Sequence, residues 1–261
     1  YFGSFKTKIF KEIERNLAKK TTKIIAISDI QKRELSKIHR ICPEKNIEVI
    51  PLGFDLERFS TNKDLKRKEF RKKWNIKENE IAIGIIGRLV PIKNHFFFID
   101  VIQEVQKKSK VPIKAFIVGD GEEKQNIINY IKSKNLDCSF DYSPATFHLT
   151  SWIKEIDRVN SGMDIICLTS LNEGTPVSLI EAQASGKPIV STKTGGIENI
   201  VIENKTALLS KNNDLHTFSK NLLSLVSDSE KRILFSKYGL EKSKDFHYDK
   251  LINKMKKLYK I

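Results

Sequence analysis

The stretch Met163-Asp164-Ile165-Ile166-Cys167-Leu168-Thr169-Ser170-Leu171-Asn172-Glu173-Gly174-Thr175-Pro176-Val177-Ser178-Leu179-Ile180-Glu181-Ala182 decides the fold. Met163 to Thr169 is an apolar run that reads as a parallel strand buried on both faces. A helix is predicted over Val177 to Ser185, and a Gly-Thr-Pro turn directly after Glu173 leads into it. Glu173 therefore stands where a strand gives way to a helix, and Glu181 lies about two turns further along. Open α/β sheets bind ligands at the carboxyl ends of their strands. A helix opening at Gly174 to Val177 also offers unpaired backbone N–H groups to an anion. A carboxylate beside an anion site suits a ligand with hydroxyls on both sides of a phosphate, and a nucleotide sugar is such a ligand.

The same grammar of strand, turn and helix runs outward from this stretch. Upstream, strands are predicted at Ile81 to Ile86 and Ile113 to Val118, with helices at Phe96 to Val105, from Gly121 through Ile131, and at Ile153 to Ser161. Downstream come a strand at Pro188 to Ser191, a short helix after Gly195-Gly196 and a last strand at Ala207 to Leu209. This alternation predicts an α/β fold with a doubly wound, Rossmann-like parallel sheet. Between Phe140 and Phe147 the pattern is irregular. From Leu215 onward the tail reads as helical, amphipathic and basic. At the front, residues 1 to 20 form a helical pattern with Phe5, Ile9 and Ile13 on one stripe. Lys23 to Ser28 and Asn46 to Pro51 read as strands, with Ser28-Asp29 capping the helix after the first. The lysine-rich helix from Asn62 to Trp74 marks a change of domain.

At 261 residues and 39% hydrophobic, the chain is long enough for one large or two smaller domains. It has no apolar run long enough to span a bilayer as a helix. It begins with Tyr1 rather than Met and reads as a piece of a longer protein. Cys42, Cys138 and Cys167 are too few and too scattered for a disulfide framework or a zinc site, which suits a reducing cytoplasm. The net charge of +15 has two readings: drift in composition spread over solvated faces, or attraction to an anionic membrane surface. No nucleic-acid-binding signature accompanies the lysines.

Gly87-Arg88-Leu89, with Lys93 five positions after the arginine, follows a strand directly. At a sheet's carboxyl edge, Arg as a fork and Lys as a point charge suit a diphosphate; the plain structural reading is a solvated loop. Gly119-Asp120-Gly121 lacks the six-residue glycine spacing of a dinucleotide fingerprint and reads as a turn lining the ligand cleft, more structural than chemical. Gly195-Gly196 reads equally as a flexible turn or as a backbone nest. The five histidines show no metal spacing and no nucleophilic partner; only His95 lies near the cleft side. For the two glutamates, the structural reading is a pair of helix-start carboxylates. That accounts for Glu173 better than for Glu181, which falls in an otherwise apolar helix and calls for a partner there.

Together these residues resemble the retaining glycosyltransferases of the large family 4, of GT-B fold. The matching pieces are IIAIS at 24–28, NIEVIPLGFDLERF at 46–59, GRLVPIKN at 87–94, VGDGEEK at 118–124, and the block from Asp164 to Val201. The last holds the family's Glu-x7-Glu motif as Glu173 to Glu181, and the resemblance covers nearly the whole chain. It implies a C-terminal donor domain over residues 60–235, a remnant of an N-terminal acceptor-side domain over 1–59, and a helix over 236–261 packing back on that remnant. It assigns Arg88 and Lys93 to the donor diphosphate, with Gly84 or Gly87 letting the diphosphate approach the loop, Glu173 to the donor sugar and Glu181 to the ribose. Gly174, Thr175, Pro176 and Val177 would bring backbone groups to the donor, and the segment Ser151 to Lys154, with Trp152 and Lys154, lies where the base sits. The glycine-rich loop and histidine of the family's first half have no counterpart here. The implied reaction moves a sugar from a nucleotide donor, a UDP-sugar, to a glycan or lipid-linked acceptor with retention, using no metal or cofactor. The implied setting is the cytoplasm or the inner membrane face. Two other classes share such a cleft: a sugar-nucleotide epimerase and a non-catalytic nucleotide-sugar-binding module.

Overall fold

The computed structural model describes residues 4–260. Tyr1, Phe2 and Gly3 of the predicted opening helix lie outside the described residues, as does the Phe5 side chain. The chain divides into two units, one comprising the residues up to Asp55 together with those from Phe246 onward, the other Leu56–Asp245.

The smaller unit opens with α1 (Ser4–Lys19), β1 (Ile24–Ala26), α2 (Asp29–Arg33) and β2 (Ile47–Val49). β1 and β2 pair in parallel with Ile24 opposite Ile47, over a small core of Ala18, Ala26, Ile41, Cys42 and Ile47. Ser28 caps α2 as its sequence position predicts, its hydroxyl accepting from the Gln31 N–H at 3.1 Å. Ile9 and Ile13 on α1 stay exposed.

The larger unit begins with α3 (Glu57–Ser60) and α4 (Lys63–Lys73), then β3 (Ile81–Ile86), α5 (His95–Lys108), β4 (Ile113–Val118) and α6 (Lys124–Ser133). It continues with β5 (Cys138–Ser139), β6 (Phe147–Ser151), α7 (Ile156–Gly162), β7 (Ile165–Leu168), α8 (Val177–Ala184), β8 (Ile189–Thr192) and α9 (Ile197–Ile200). β9 (Ala207–Ser210), α10 (Leu215–Ser227) and α11 (Ser229–Ser243) complete it, and α12 (Tyr248–Tyr259) returns the chain to the smaller unit. Among the described residues its strands form one seven-stranded sheet, order β5-β6-β4-β3-β7-β8-β9, with every pairing parallel. This is the α/β doubly wound architecture read from the sequence.

Both faces of the sheet are covered, which is why its central strands read as unbroken apolar runs. Ile81, Ile83 and Ile85 of β3 join α5, α6 and α10 in one core. On the other face Phe116 meets Phe70 and Trp74 edge-on, and Gly84 leaves room for Met163 and Ile166. The Asp164 carboxylate ties that face to the sheet's amino edge. It accepts from Arg67 at 2.7 Å, from Arg71 at 3.0 Å and from the Ala82 N–H at 2.8 Å.

Local backbone features refine the sequence reading at the cleft side. α7 starts at Ile156 rather than Ile153, because Glu155 takes a non-helical backbone and leaves 153–155 as a loop. The irregular 140–147 region is a loop between two short strands, folded by Asp141, which accepts from Ser139 and Ser143. Gly174 to Pro176 lie outside any helix, and α8 opens at Val177 after Pro176. β4 and β7 flank β3 on opposite sides, so the strand order reverses between β3 and β7. That crevice, at the carboxyl ends, is where this topology accommodates a ligand.

Candidate functional site

Three loops meet at the β3–β7 crevice: 87–94 after β3, 152–155 after β6 and 169–176 after β7. Around a cleft of about 450 Å³ they and α8 place Gly87, Arg88, Lys93, Trp152, Glu173, Thr175, Pro176, Val177 and Glu181, all singled out in the sequence, together with Ile86, Ile153, Ile156 and Ser178. Two of the sequence candidates stand aside. Lys154 lines a neighbouring groove of about 650 Å³, which shares only Trp152 and Ile153 with the cleft. Gly174 does not line the cleft, and nothing lies within 4 Å of where its Cβ would be. Pro176 has no N–H to donate. The Leu179 N–H is already committed to the Pro176 carbonyl at 3.0 Å, so Val177 and Ser178 head the first turn of α8.

Each loop is held to its neighbour by backbone. Gly119 takes φ +148, and a Cβ there would lie 1.9 Å from the Gly87 carbonyl oxygen, so glycine allows the β4 loop to support the Gly87 turn. The Gly119-Asp120-Gly121 turn is thus a scaffold behind the cleft and does not line it as its sequence reading expects, because its glycines pack against the Gly87 and Leu89 backbone. Gly195 takes φ +53 with its missing Cβ 1.9 Å from the Glu173 carbonyl, and the Gly196 N–H donates to that carbonyl at 2.9 Å. The glycine pair therefore grips the backbone at Glu173. The β4–β6 register shifts at Ile117/Val118; such irregularities re-aim side chains at strand ends. There Ser151 takes φ +55 and Trp152 stands exposed beside the cleft.

The cleft is electrostatically mixed. Lys93 Nζ donates to Glu173 Oε1 at 2.5 Å, and Ser170 Oγ donates to the same oxygen at 2.6 Å. Thr169 Oγ1 donates to the Lys93 and Asn94 carbonyls at 2.9 and 3.1 Å, and Thr192 Oγ1 to the Ser170 carbonyl at 2.7 Å. Arg88 is exposed, and among the described residues it has no ion-pair partner. Glu181 lies in α8 among buried Leu179, Ile180, Ala182, Gln183 and Ala184. Burial pushes its carboxyl up to about 7, with Arg58 opposing and Asp157 adding to the rise. His95 is buried, and burial with Lys93 nearby pushes it down to about 4, so it packs as a neutral ring. Among the described residues no group of His, Cys, Asp and Glu could hold a metal ion, and no helix is long and apolar enough to cross a membrane.

Two cations and two carboxylates around one concave site can take a ligand with a charged phosphate centre and hydroxyls at either end. Sequence reasoning passed over Thr169 and Ser170, which are fully buried. Their one signal was a pair of hydroxyls directly after an apolar strand. Ile153 falls in the 151–154 segment read as the base site, whereas Ile156 and Ser178 were not singled out, because the start of α7 was set too early and α8 was read for its carboxylate alone.

Residues 66–242 match the model of the family described as glycosyl transferases group 1. The chain is 30% identical over 256 residues to the Escherichia coli UDP-Gal:alpha-D-GlcNAc-diphosphoundecaprenol alpha-1,3-galactosyltransferase, covering 96% of this chain and 63% of that one. It is 25% identical over 219 residues to D-inositol 3-phosphate glycosyltransferase of Corynebacterium urealyticum, covering 82% and 51%. The chain thus spans about half to two thirds of the length of these curated relatives. Anabaena HepE in complex with UDP superposes with a TM-score of 0.83 at 19% identity, over 96% of this chain and 67% of that one, and shares the GT-B fold. A family match across the sheet that carries the cleft, with a relative at this identity along most of the chain, leads to one assignment. The chain belongs to the glycosyl transferases group 1 family.

Proposed function

We propose that this chain is the donor-binding part of a retaining, family 4 glycosyltransferase that moves a sugar from a UDP-sugar to a glycan or lipid-linked acceptor. The observation that carries the reading is the joint placement of Arg88, Lys93, Glu173 and Glu181 around one cleft at the strand-order reversal. The relative named for UDP-Gal and a diphosphoundecaprenol acceptor supports the donor and acceptor classes.

In this reading the larger unit is the donor domain. Arg88 and Lys93 bind the diphosphate and stabilise the charge that grows on it as the bond to the sugar breaks. Glu173, the first carboxylate of the Glu-x7-Glu pair, holds donor-sugar hydroxyls, and Glu181 holds the ribose diol. Trp152, with Lys154 beyond it, flanks the base, and Thr175 to Val177 wall the sugar end. The acceptor oxygen bonds to the anomeric carbon on the face the diphosphate leaves, and its proton passes to a leaving phosphate oxygen. The two cations supply the charge compensation, so we assign no metal or cofactor. The chain's basic balance supports an anionic membrane surface as a partner, at the cytoplasmic side, and nothing in it calls for nucleic acid.

Calorimetric titration with UDP, GDP and ADP tests the reading, with Arg88→Ala and Glu181→Ala alongside. UDP-selective binding that both substitutions weaken is the expected result. Binding that neither substitution alters would remove the cleft as the donor site.

A further inference from the structure

Glu173 faces a problem that the cleft itself creates. Its Oε1 is paired with Lys93, the same ammonium that the donor reading commits to a diphosphate. When Lys93 turns to a phosphate, a carboxylate held only by that lysine would lose its partner and its orientation together. The Glu173 side chain is 11% exposed, so water compensates it poorly.

The structure provides a second holder. Ser170 Oγ donates to Glu173 Oε1 at 2.6 Å, and Ser170 is fully buried, so its hydroxyl is fixed by packing. Its backbone is fixed as well: the Ser170 carbonyl accepts from Thr192 Oγ1 at 2.7 Å, and the Leu171 N–H donates to the Ile92 carbonyl at 2.8 Å. Thr169, one residue earlier, binds the carbonyls of Lys93 and Asn94. Adjacent hydroxyls at the end of β7 thus serve the two halves of one ion pair, Thr169 the lysine's backbone and Ser170 the glutamate's carboxylate. Both contacts to Glu173 fall on Oε1, which leaves Oε2 for a ligand hydroxyl.

We infer that Ser170 is a positioning residue for the donor sugar: its hydroxyl keeps the Glu173 carboxylate oriented after Lys93 has moved to the diphosphate. This rests on the donor-site reading above. It also limits where Ser170 acts. The serine touches neither phosphate nor base, so its effect belongs to the sugar increment of affinity, the ratio between binding of a nucleotide sugar and of its nucleoside diphosphate.

The test measures that ratio by calorimetry for UDP against UDP-glucose and UDP-galactose, GDP against GDP-mannose, and ADP against ADP-glucose. The proteins are wild type, Ser170→Ala, Glu173→Gln and the double variant, with a thermal melt of each. For the pair that wild type binds, Ser170→Ala should leave diphosphate affinity within about twofold and cut the sugar increment about five- to tenfold, within the net range of one ordinary hydrogen bond. The double variant should lose no more than Glu173→Gln alone, because the serine acts through the glutamate. A loss shared equally by diphosphate and nucleotide sugar would make Ser170 a structural residue and overturn the inference. Additive losses in the double variant would overturn it too. Wild type that binds no diphosphate would instead defeat the donor-site reading and the inference with it, so the two failures are told apart by the wild-type arm.

Discussion

Glu181→Gln separates what the fold tolerates from what the site demands. The wild-type carboxyl sits near 7 in the fold against an ordinary value of 4.5, chiefly because α8 buries it. The folded chain therefore holds a proton that the unfolded chain releases between these two values. Stability falls as pH rises through that window, and above about pH 7 the loss is complete. A gap of about 2.5 pH units corresponds to about 3 kcal/mol. Glutamine mimics the protonated carboxyl, so the variant should match wild type near pH 4.5 and exceed its stability by about 3 kcal/mol near pH 8. For a unit of this size that is a rise in Tm of roughly 6–12 °C. The assay is urea denaturation at both pH values, with the gain read as a shift in midpoint at unchanged slope. An equal effect at both pH values, or destabilisation near pH 8, would refute the reasoning, since burial of charge would not then be the cost.

In the proposed donor site the same group makes nucleotide affinity depend on pH. There ribose hydroxyls would donate to the ionised carboxylate, so wild-type affinity for UDP should fall roughly tenfold more from pH 8 to pH 6 than that of Glu181→Gln, whose remaining dependence belongs to the terminal phosphate of UDP. Asp164→Asn leaves the buried Arg71 guanidinium without its carboxylate and should cost about 3–5 kcal/mol in urea denaturation; a loss below about 1 kcal/mol would show the Asp164 clasp to be dispensable. Gly195→Ala forces a Cβ to within 1.9 Å of the Glu173 carbonyl, so calorimetry should show nucleotide-sugar binding lost, with a lowered Tm. Gly174→Ala is the contrast, with open space around its Cβ, and should leave the Tm within about 2 °C of wild type, less than about 1 kcal/mol.

How much of this was legible depended on whether a residue's role was local. β3, β4 and β7 could be read because a strand buried on both faces has to be apolar throughout. Their parallel pairing followed from the alternation with helices, and the crevice followed from the pairing. Arg88, Lys93 and Glu173 were legible as charges in loops after strands, and Glu181 as a lone carboxylate within an apolar helix. What stayed hidden depended on contacts across the sheet. Ser170 is unremarkable until Glu173 folds back over it, and the lysine that joins them comes from a loop 80 positions earlier. Gly195 reads as a turn until the Glu173 carbonyl is found against it. The start of α7 was misplaced because Ile153 continues an apolar pattern that the backbone at Glu155 interrupts.

Those long-range contacts explain why the site sits at this particular crevice. Between neighbouring strands whose following helices cover the same face, the loops leave together and fill the space above the sheet. At β3 and β7 they leave in opposite directions, and the gap they open is the cleft. Such a gap has no packing of its own to fix side chains, so order must come from beneath it. Here it comes from hydroxyls at the strand end and from glycine-to-carbonyl contacts behind the loops. In the proposed donor site this order beneath the cleft would let the charged residues exchange partners, Lys93 leaving Glu173 for a phosphate, without the loops having to move. Substitutions beneath the cleft, at Ser170 or Gly195, are accordingly where changes in sugar affinity should appear first, ahead of any change in the wall at Trp152.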